Sequence, residues 1–350
     1  MIRSALVGAG NIARAHLGVL RGLPGVECVA VCDRSPAMAE SAAEAFGVAA
    51  WFTDFERMLR EVRPGVVHVT TPPASHFVLA RTALEHGAHV FVEKPITTRA
   101  AELDELVALA RSRGRMLVED QNYLFNGTLR ELLRRIDSGE LGELVHVDVV
   151  LELGVLGPGS RYTEPAAANP FAALRGGVVA DFITHLCSLA VRLVGPHRRA
   201  LALWSKRDPS TPLSSDELLA LVDAERGTAA LYFSARAQPD AFHVVVHGTR
   251  MRVVAGLFEP LFARERLYSG PRPLLPVRNG IALARAHARA AIGGLWLKLA
   301  GRPAALEGLG ELLRRTYDAI LQDAPPPLSL DHLVAVHRLE EELLDQEARP

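Results

Sequence analysis

The chain has 350 residues, enough for two domains that each bury a sizeable core. Apolar residues make up 49% and charged residues 23%, an ordinary mix for a globular protein. A formal net charge of −1 offers no strong field for nucleic acid or for an anionic membrane, so a small-molecule partner is expected.

The N-terminus and the cysteines predict a cytoplasmic protein. Met1–Gly8 runs directly into a strand and a glycine turn, without the features of a secretory signal. Cys28 and Cys32 lie four residues apart on a predicted strand, roughly 13 Å at about 3.3 Å per residue, which is too far for a disulfide. The most apolar later segment, Ala290–Ala300, is too short to span a bilayer and is expected to be a buried or packing helix.

The first 120 residues alternate short apolar strands with helices. The predicted strands are Ile2–Val7, Val26–Cys32, Val66–Thr70, His89–Val92 and Met116–Glu119, with Val48–Phe52 as a weaker candidate. The predicted helices lie near Asn11–Arg21, Pro36–Phe46, Phe55–Val62, Phe77–His86 and Arg99–Arg113. Apolar strands separated by helices indicate an α/β fold with a parallel sheet covered on both faces, the doubly wound Rossmann arrangement.

After Gln121 the pattern changes to one typical of an antiparallel sheet. A helix near Leu129–Asp137 and a strand at Glu143–Leu153 precede an irregular stretch from Gly154 to Gly177. A helix at Val179–Val194 is followed by strands joined by tight turns, at Ala200–Lys206, Glu217–Ala224, Thr228–Ala235, Phe242–His247 and Met251–Ala255. From Gly280 the chain is predicted to be helical, with breaks at Gly301–Pro303 and Pro325–Pro327.

These patterns predict three parts. Residues 1–120 form a Rossmann domain, and residues 121–328 form a second α/β domain with a largely antiparallel open sheet. Residues 329–350 form a C-terminal helix that is expected to pack back on the first domain.

The loop after the first strand has the spacing of a dinucleotide site. Gly8 permits a tight turn, and Gly10 allows the backbone to approach a pyrophosphate. Asn11 and Ile12 complete the loop, and Ala13 keeps the following helix close to the strand. Because the free N–H groups at a helix N-terminus favour anions, the phosphates are expected there.

Asp33 ends the second strand, twenty residues after Ala13, where a carboxylate can accept hydrogen bonds from the ribose hydroxyls. A carboxylate there repels a 2′-phosphate and favours NAD over NADP. Arg34 keeps NADP open as an alternative, since its guanidinium can hold such a phosphate or lie against the adenine.

Glu93-Lys94-Pro95 follows the fifth strand, whose C-terminal end points into the crevice where ligands bind in such sheets. Pro95 stiffens the backbone just beyond Lys94. A solvated Glu–Lys pair is the ordinary alternative, and the position at the expected cofactor edge favours a functional lysine.

Asp181 and His185 lie four residues apart on a predicted helix and therefore share one face. Among apolar neighbours, the carboxylate can orient the imidazole and raise its pKa. A purely structural Asp–His pair is the alternative. His76, His86 and His89 show no convincing liganding pattern, so no metal site is expected.

Taken together, these residues resemble the Gfo/Idh/MocA oxidoreductases. The likeness covers most of the chain and rests on Val7–Ala13, on Thr70-Thr-Pro-Pro-Ala-Ser-His76, on His89–Pro95, and on Gly176-Gly177 with Asp181 and His185. The resemblance implies a Rossmann domain followed by an α/β domain whose open sheet often mediates oligomerisation.

The resemblance also implies roles for particular residues. Lys94 contacts the reacting oxygen and the nicotinamide ribose, His185 shuttles the proton, and Asp181 binds substrate or orients the histidine. Thr71, Pro72 and His76 line the cofactor pocket with Glu93.

Three departures from the family pattern affect the expected substrate. Arg175 replaces a glycine before Gly176, Ile183 replaces a glycine between Asp181 and His185, and Leu124 replaces an arginine after Tyr123. Tyr123, Tyr162 and Arg175 are candidate substrate contacts, and Arg175 is either a contact for an anionic group or a solvated loop residue.

The sequence leaves three functions open. The first is an NAD(P)-dependent dehydrogenase or reductase for a sugar, polyol or sugar nucleotide. The second is a redox-neutral hydrolase, lyase or epimerase that uses bound NAD, and the third is a non-catalytic NAD-binding regulator. Since a binding protein needs no proton shuttle, Lys94 and the Asp181–His185 pair favour an enzyme. An open sheet face predicts a homodimer or homotetramer.

Overall fold

The computed structural model describes residues 1–164, 175–267, 271–299 and 304–347. The chain divides into two compact units. One comprises Met1–Gln121 and Leu309–Val334, and the other comprises Asn122–Gly308 and Ala335–Pro350. No helix among the described residues is long and apolar enough to cross a membrane.

The first unit contains a six-stranded sheet in the order β3-β2-β1-β4-β5-β6. All of its strand pairs are parallel. The strands are β1 (Ile2–Val7), β2 (Val26–Cys32), β3 (Ala50–Phe52), β4 (Val66–Val69), β5 (His89–Val92) and β6 (Leu117–Glu119). The helices between them are α1 (Asn11–Leu20), α2 (Pro36–Phe46), α3 (Phe55–Val62), α4 (His76–Glu85) and α5 (Ala100–Arg113). The predicted parallel Rossmann sheet is therefore confirmed.

The second unit contains a seven-stranded sheet in the order β13-β12-β11-β7-β10-β9-β8. Its strands are β7 (Leu144–Glu152), β8 (His197–Ser205), β9 (Glu217–Ala224), β10 (Gly227–Ser234), β11 (Ala241–Gly248), β12 (Met251–Gly256) and β13 (Phe262–Arg266). The sheet is mostly antiparallel as predicted, but β7 and β10 pair in parallel. Its helices are α6 (Gly127–Asp137), α7 (Val179–Val194) and α8 (Leu275–Leu299).

Two helices follow, α9 (Ala304–Leu321) and α10 (Leu330–Leu344). Residues 309–334 join the first unit, whereas the sequence places the chain up to residue 328 in the second domain. The reason is long-range packing, because Tyr317 and Ile320 pack in one cluster with Leu20 and Val66. The helix break predicted at Gly301–Pro303 lies outside the described residues.

Of the two expectations for the segment Ala290–Ala300, a buried helix or a packing helix, the exposed side chains of α8 exclude the first. Ile292, Leu295, Trp296 and Leu299 are 59–74% exposed. An apolar run predicts that some surface will cover the helix. One side of α8 packs against β13, so the helix is a packing helix.

Candidate functional site

The predicted cofactor residues of the first unit follow neighbouring strands of one parallel sheet. Gly8 follows β1, Asp33 follows β2, Thr71 comes shortly after β4, and Lys94 comes shortly after β5. Since the carboxyl ends of parallel strands meet at one edge, these residues share the edge where ligands bind in such sheets.

The glycine loop is shaped to accept a phosphate group. Gly8 has φ +97°, and a Cβ there would lie 2.7 Å from the backbone nitrogen and Cγ2 of Thr71, so the turn requires glycine. A Cβ on Gly10, by contrast, would meet no atom within 4 Å. Gly10 is the N-cap residue of α1 and has no side chain to cap the helix, which leaves N–H groups for an anion.

Asp33 is held in a fixed orientation beside this loop. Its Oδ2 accepts a hydrogen bond from the Ala9 backbone N–H at 2.8 Å, and its Oδ1 accepts one from Ser35 N–H at 2.8 Å. Each carboxylate oxygen can still accept from a ribose hydroxyl. The residues present therefore fit the adenosine and pyrophosphate parts of NAD. Asn11, Arg34 and Pro72 are exposed, and Ile12 is partly so at 39%.

Lys94 lies in a turn that is anchored on both sides. The Glu93 carboxylate, only 7% exposed, accepts from the Lys94 backbone N–H at 3.3 Å. Ile96 N–H donates to Glu119 Oε1 at 2.7 Å. The buried His76 ring lies 2.8 Å from the Pro95 carbonyl oxygen and 2.7 Å from that of Thr71. Because the Glu93 side chain is buried, the alternative of a solvated Glu–Lys pair is wrong for this residue.

Behind Glu93 runs a continuous buried chain of polar side chains. His16 Nε2 lies 3.0 Å from Glu93 Oε1, and His16 Nδ1 lies 3.1 Å from His68 Nδ1. His68 Nε2 lies 2.9 Å from the Tyr317 hydroxyl. These contacts allow every donor to point the same way, from the Tyr317 O–H through both imidazoles to Glu93.

Glu93 and Asp120 share a hydrogen bond and titrate in opposite directions. Burial alone would raise the pKa of Glu93, but its contacts with His16 and the charge of Lys94 outweigh burial and lower it. Burial, followed by the Glu93 charge, raises the pKa of Asp120 well above its ordinary value. The proton of the pair therefore lies on Asp120, which donates it toward Glu93.

Within the described residues, His16, Glu93 and Asp120 are the one group of three whose potential metal-ligand atoms lie within 4.8 Å of one another. His16 and Asp120 both hydrogen-bond to Glu93. We therefore assign the group to holding the Lys94 turn.

In the second unit, α7 presents Asp181 and His185 one turn apart, as their spacing predicts. Asp181 Oδ2 accepts hydrogen bonds from the Tyr162 hydroxyl at 2.6 Å and from Arg161 Nη2 at 2.8 Å. Burial and then the Asp181 charge raise the pKa of Tyr162. Tyr162 therefore stays protonated and donates to Asp181.

His185 is 8% exposed and packs against an aromatic cluster. The Tyr123 ring meets it edge to face, with centroids 4.8 Å apart, and also contacts Phe242 and Phe258. Tyr123 and Tyr162 thus each adjoin one of the two predicted catalytic residues of α7. Arg175, the third candidate substrate contact, forms an ion pair with Asp345 at 2.5 Å.

Glu93 is among the predicted site residues, but no local pattern in the sequence points to its partners His16, His68 and Tyr317. His16 and Glu93 are 77 positions apart and His68 and Tyr317 are 249 apart, so no local pattern joins them. The one available signal was that His16 and His68 fall within an apolar helix face and an apolar strand, where a polar side chain needs a partner.

Comparisons with known proteins agree with this architecture. The GFO_IDH_MocA family, described as "Oxidoreductase family, NAD-binding Rossmann fold", matches residues 2–121. The GFO/IDH/MocA C-terminal domain matches residues 129–254.

Among curated relatives, D-glucoside 3-dehydrogenase of Escherichia coli K12 is 34% identical over 144 residues, 41% of each chain. The dTDP-3,4-didehydro-2,6-dideoxy-alpha-D-glucose 3-reductase of Streptomyces violaceoruber is 30% identical over 211 residues, 59% of this chain and 58% of the relative. The chain thus spans between about two fifths and three fifths of the length of these relatives.

Among solved structures, the WlbA dehydrogenase from Bordetella pertussis, in complex with NADH and UDP-GlcNAcA, superposes with a TM-score of 0.76 at 20% identity. The match covers 99% of this chain and 95% of that one. This likeness establishes the fold.

Proposed function

Because the chain belongs to the Gfo/Idh/MocA family of oxidoreductases, we propose that it transfers a hydride between NAD and a hydroxyl or carbonyl group of a sugar, polyol or sugar nucleotide. The observation that carries the proposal is the shared sheet edge of the first unit. There the glycine loop and Asp33 fit a dinucleotide, and the anchored Lys94 turn follows a strand of the same sheet.

The residues divide the chemistry between them. When bound, the nicotinamide supplies or accepts the hydride. Lys94 donates to the reacting oxygen and stabilises its developing charge, and His185 takes or returns the proton of the substrate hydroxyl. Asp181, held by Tyr162 and Arg161, binds a substrate hydroxyl or orients His185.

Substrate contacts are assigned to Tyr123, Tyr162 and Arg175. Tyr123 supports this assignment by its position against His185. Tyr162 supports it by its bond to Asp181. The family relatives act on sugars and sugar nucleotides by their names, which favours the same class here.

Two further properties belong to the proposal. A cytoplasmic location is supported by three free cysteines, of which Cys32 and Cys187 are buried. A homodimer or homotetramer is supported by the exposed leucines of the open sheet face, Leu201, Leu203, Leu219 and Leu221, which are 46–62% exposed.

The direct test is a nicotinamide absorbance screen of the purified protein with NAD and NADP against sugars, polyols and nucleotide sugars. We expect cofactor turnover with one substrate class, its loss in Lys94→Ala and a large decrease in His185→Ala. Lys206→Ala is the matched control, because Lys206 lies outside the proposed site and donates to the Thr211 carbonyl. Turnover that survives in Lys94→Ala contradicts the assigned role of that lysine.

The preference for NAD has its own test. Asp33→Asn keeps an acceptor for Ala9 or Ser35 but removes the charge that repels a 2′-phosphate. We expect NADH to bind about tenfold more weakly and the preference over NADPH to shrink, because hydrogen bonds to a charged group contribute about 1.5–3 kcal/mol. Fluorescence titration with both reduced cofactors measures this. Wild-type protein that binds NADPH more tightly than NADH rules out the preference.

A further inference from the structure

Helix α8 carries an apolar stripe on the side that faces away from its own unit. Val277, Ile281, Ile292, Leu295 and Leu299 are 49–74% exposed. Their spacing places them on one side of the helix, and the exposed Ala284 and Ala288 fill the turns between them. We name these seven residues the α8 stripe. The opposite side of the helix packs against β13.

Beside the stripe lies a row of cationic and aromatic side chains. Arg278, Arg285, Arg289 and Trp296 follow one edge of the stripe, and Trp296 is 69% exposed. The segment Leu275–Leu299 contains no aspartate or glutamate. A long apolar surface bordered by arginines and a tryptophan can bury its side chains in the acyl boundary of a membrane while its cations meet the headgroups.

The arginines also enclose a cavity. Arg264, Arg285 and Arg289 line a cavity of about 390 Å³ together with Pro260 and Phe262. Burial lowers the pKa of the Arg264 guanidinium, and the nearby positive charges of Arg266 and Arg135 lower it further. Several like charges therefore lie close together around the cavity. Glu140 pairs with Arg135 and Arg266, whereas Arg285 and Arg289 form no ion pair with the residues described here. The cavity is thus suited to an anionic group.

An antiparallel pair of α8 helices from two copies fits this surface less well than a bilayer does. In a two-fold pair of antiparallel helices each edge faces the same edge of its partner, which would set the arginine row against itself. An anionic bilayer supplies hydrocarbon for the stripe and phosphate for the arginines at the same time.

We propose that α8 docks on the surface of an anionic phospholipid bilayer. The stripe enters the acyl boundary, Trp296 lies at the headgroup level, and Arg285 and Arg289 bind lipid phosphates. This differs from the expectation drawn from the net charge of −1, because that value averages over the chain, whereas α8 carries only basic charges. The proposed binding is peripheral, with the helix lying in the plane of the interface.

The test is co-sedimentation of the full chain with vesicles of phosphatidylcholine alone and of phosphatidylcholine with about one third phosphatidylglycerol. We expect at least about tenfold more binding to the anionic vesicles, with a blue shift of the tryptophan emission. Ile292→Asp with Leu295→Asp removes the binding. Val78→Asp, at an exposed apolar residue of the first unit, is the matched control and leaves it intact.

The charges are tested separately. Arg285→Glu with Arg289→Glu is expected to abolish binding, whereas the two lysine replacements retain most of it. Circular dichroism verifies that each variant is folded. Wild-type protein that stays in the supernatant with anionic vesicles overturns the proposal, as does full binding by the stripe variant. A stripe variant that loses a subunit by lipid-free light scattering also overturns it, because the stripe then contacts a second copy.

Discussion

Glu93 and Asp120 form a buried carboxyl pair that carries one proton, and the position of that proton has a consequence for stability. Folding raises the pKa of Asp120 above its unfolded value near 3.8. The folded state therefore binds more protons than the unfolded chain, and this group reduces stability as the pH rises from that value toward the folded pKa. Glu93 acts in the opposite sense, since its lowered pKa contributes stability that is lost only in acid.

Asp120→Asn is expected to remove the loss of stability that Asp120 causes as the pH rises, because the amide donates an N–H to Glu93 without titrating. The free energy of unfolding of wild type should fall relative to the variant as the pH rises, by about 1.4 kcal/mol for each unit by which folding raises the Asp120 pKa. Urea unfolding from mildly acidic to mildly basic pH measures the difference. Asp331→Asn, at a carboxylate whose side chain is 88% exposed, is the control. Parallel pH profiles for wild type and Asp120→Asn would show that Asp120 is ionised.

His16 supplies the donor that keeps Glu93 ionised in a buried place. His16→Ala leaves that carboxylate without its main partner, and breaking a buried charge interaction in this way costs about 3–5 kcal/mol. His16→Gln keeps an N–H donor and should cost clearly less. Urea unfolding gives the stabilities, and kcat in the cofactor assay reports whether the Lys94 turn has moved. Equal and small losses in both variants would mean that the His16–Glu93 contact does not support the turn.

At the scale of elements, the segment Arg161–Tyr162 is tied to α7 through Asp181. Tyr162→Phe removes the hydrogen bond of 2.6 Å to this carboxylate while Arg161 still donates to it. We expect kcat/KM to fall about tenfold, which corresponds to about 1.4 kcal/mol, because Asp181 loses the hydroxyl that helps to orient it. Tyr232→Phe, on the other face of the sheet from α7, is the control. If Tyr162→Phe left both the kinetics and the thermal stability unchanged, Tyr162 would not orient Asp181 for the reaction.

Elements with a strong local pattern were predictable, and those held by distant contacts were not. The bounds of β2, β5, α2 and α7 agree with the prediction because apolar periods and turn residues mark both ends. Strand β13, Phe262–Arg266, was missed since its sequence is largely charged and it forms a strand by pairing with β12 at the sheet edge. The outer side of α8 is exposed, and the sequence does not predict this because an apolar run does not specify which surface covers it.

The candidate site shows the same division. Gly8, Gly10 and Asp33 follow from the spacing of a dinucleotide loop, and Asp181 and His185 follow from helical periodicity. The contacts that support the Lys94 turn do not follow from a local pattern. His16 lies on an α-helix, and Glu93 and Asp120 lie at the ends of two strands. Only the sheet order β1-β4-β5-β6 brings the three side chains together.

At the scale of the whole molecule, the open face of the second sheet supports self-association. The alternating burial of β9 puts Leu218, Ala220 and Val222 inside and leaves Leu219 and Leu221 exposed. Leu201 pairs with Leu221 and Leu203 with Leu219 across the two strands, so the four side chains form one apolar patch. Covering each leucine contributes about 1.5–3 kcal/mol at most, and a two-fold axis uses every residue of the patch twice.

Leu203→Asp with Leu219→Asp should therefore convert the oligomer to a monomer or a smaller assembly, because two carboxylates on the patch become four when two copies meet, and burying them without partners is unfavourable. Light scattering at several concentrations measures the mass, and Val78→Asp is the control for adding a charge at an isolated exposed valine. A wild-type monomer contradicts the proposed oligomer. If the leucine variant keeps the wild-type mass, the interface lies on another surface. The α8 stripe is then the alternative, and the mass of the variant Ile292→Asp with Leu295→Asp tests it.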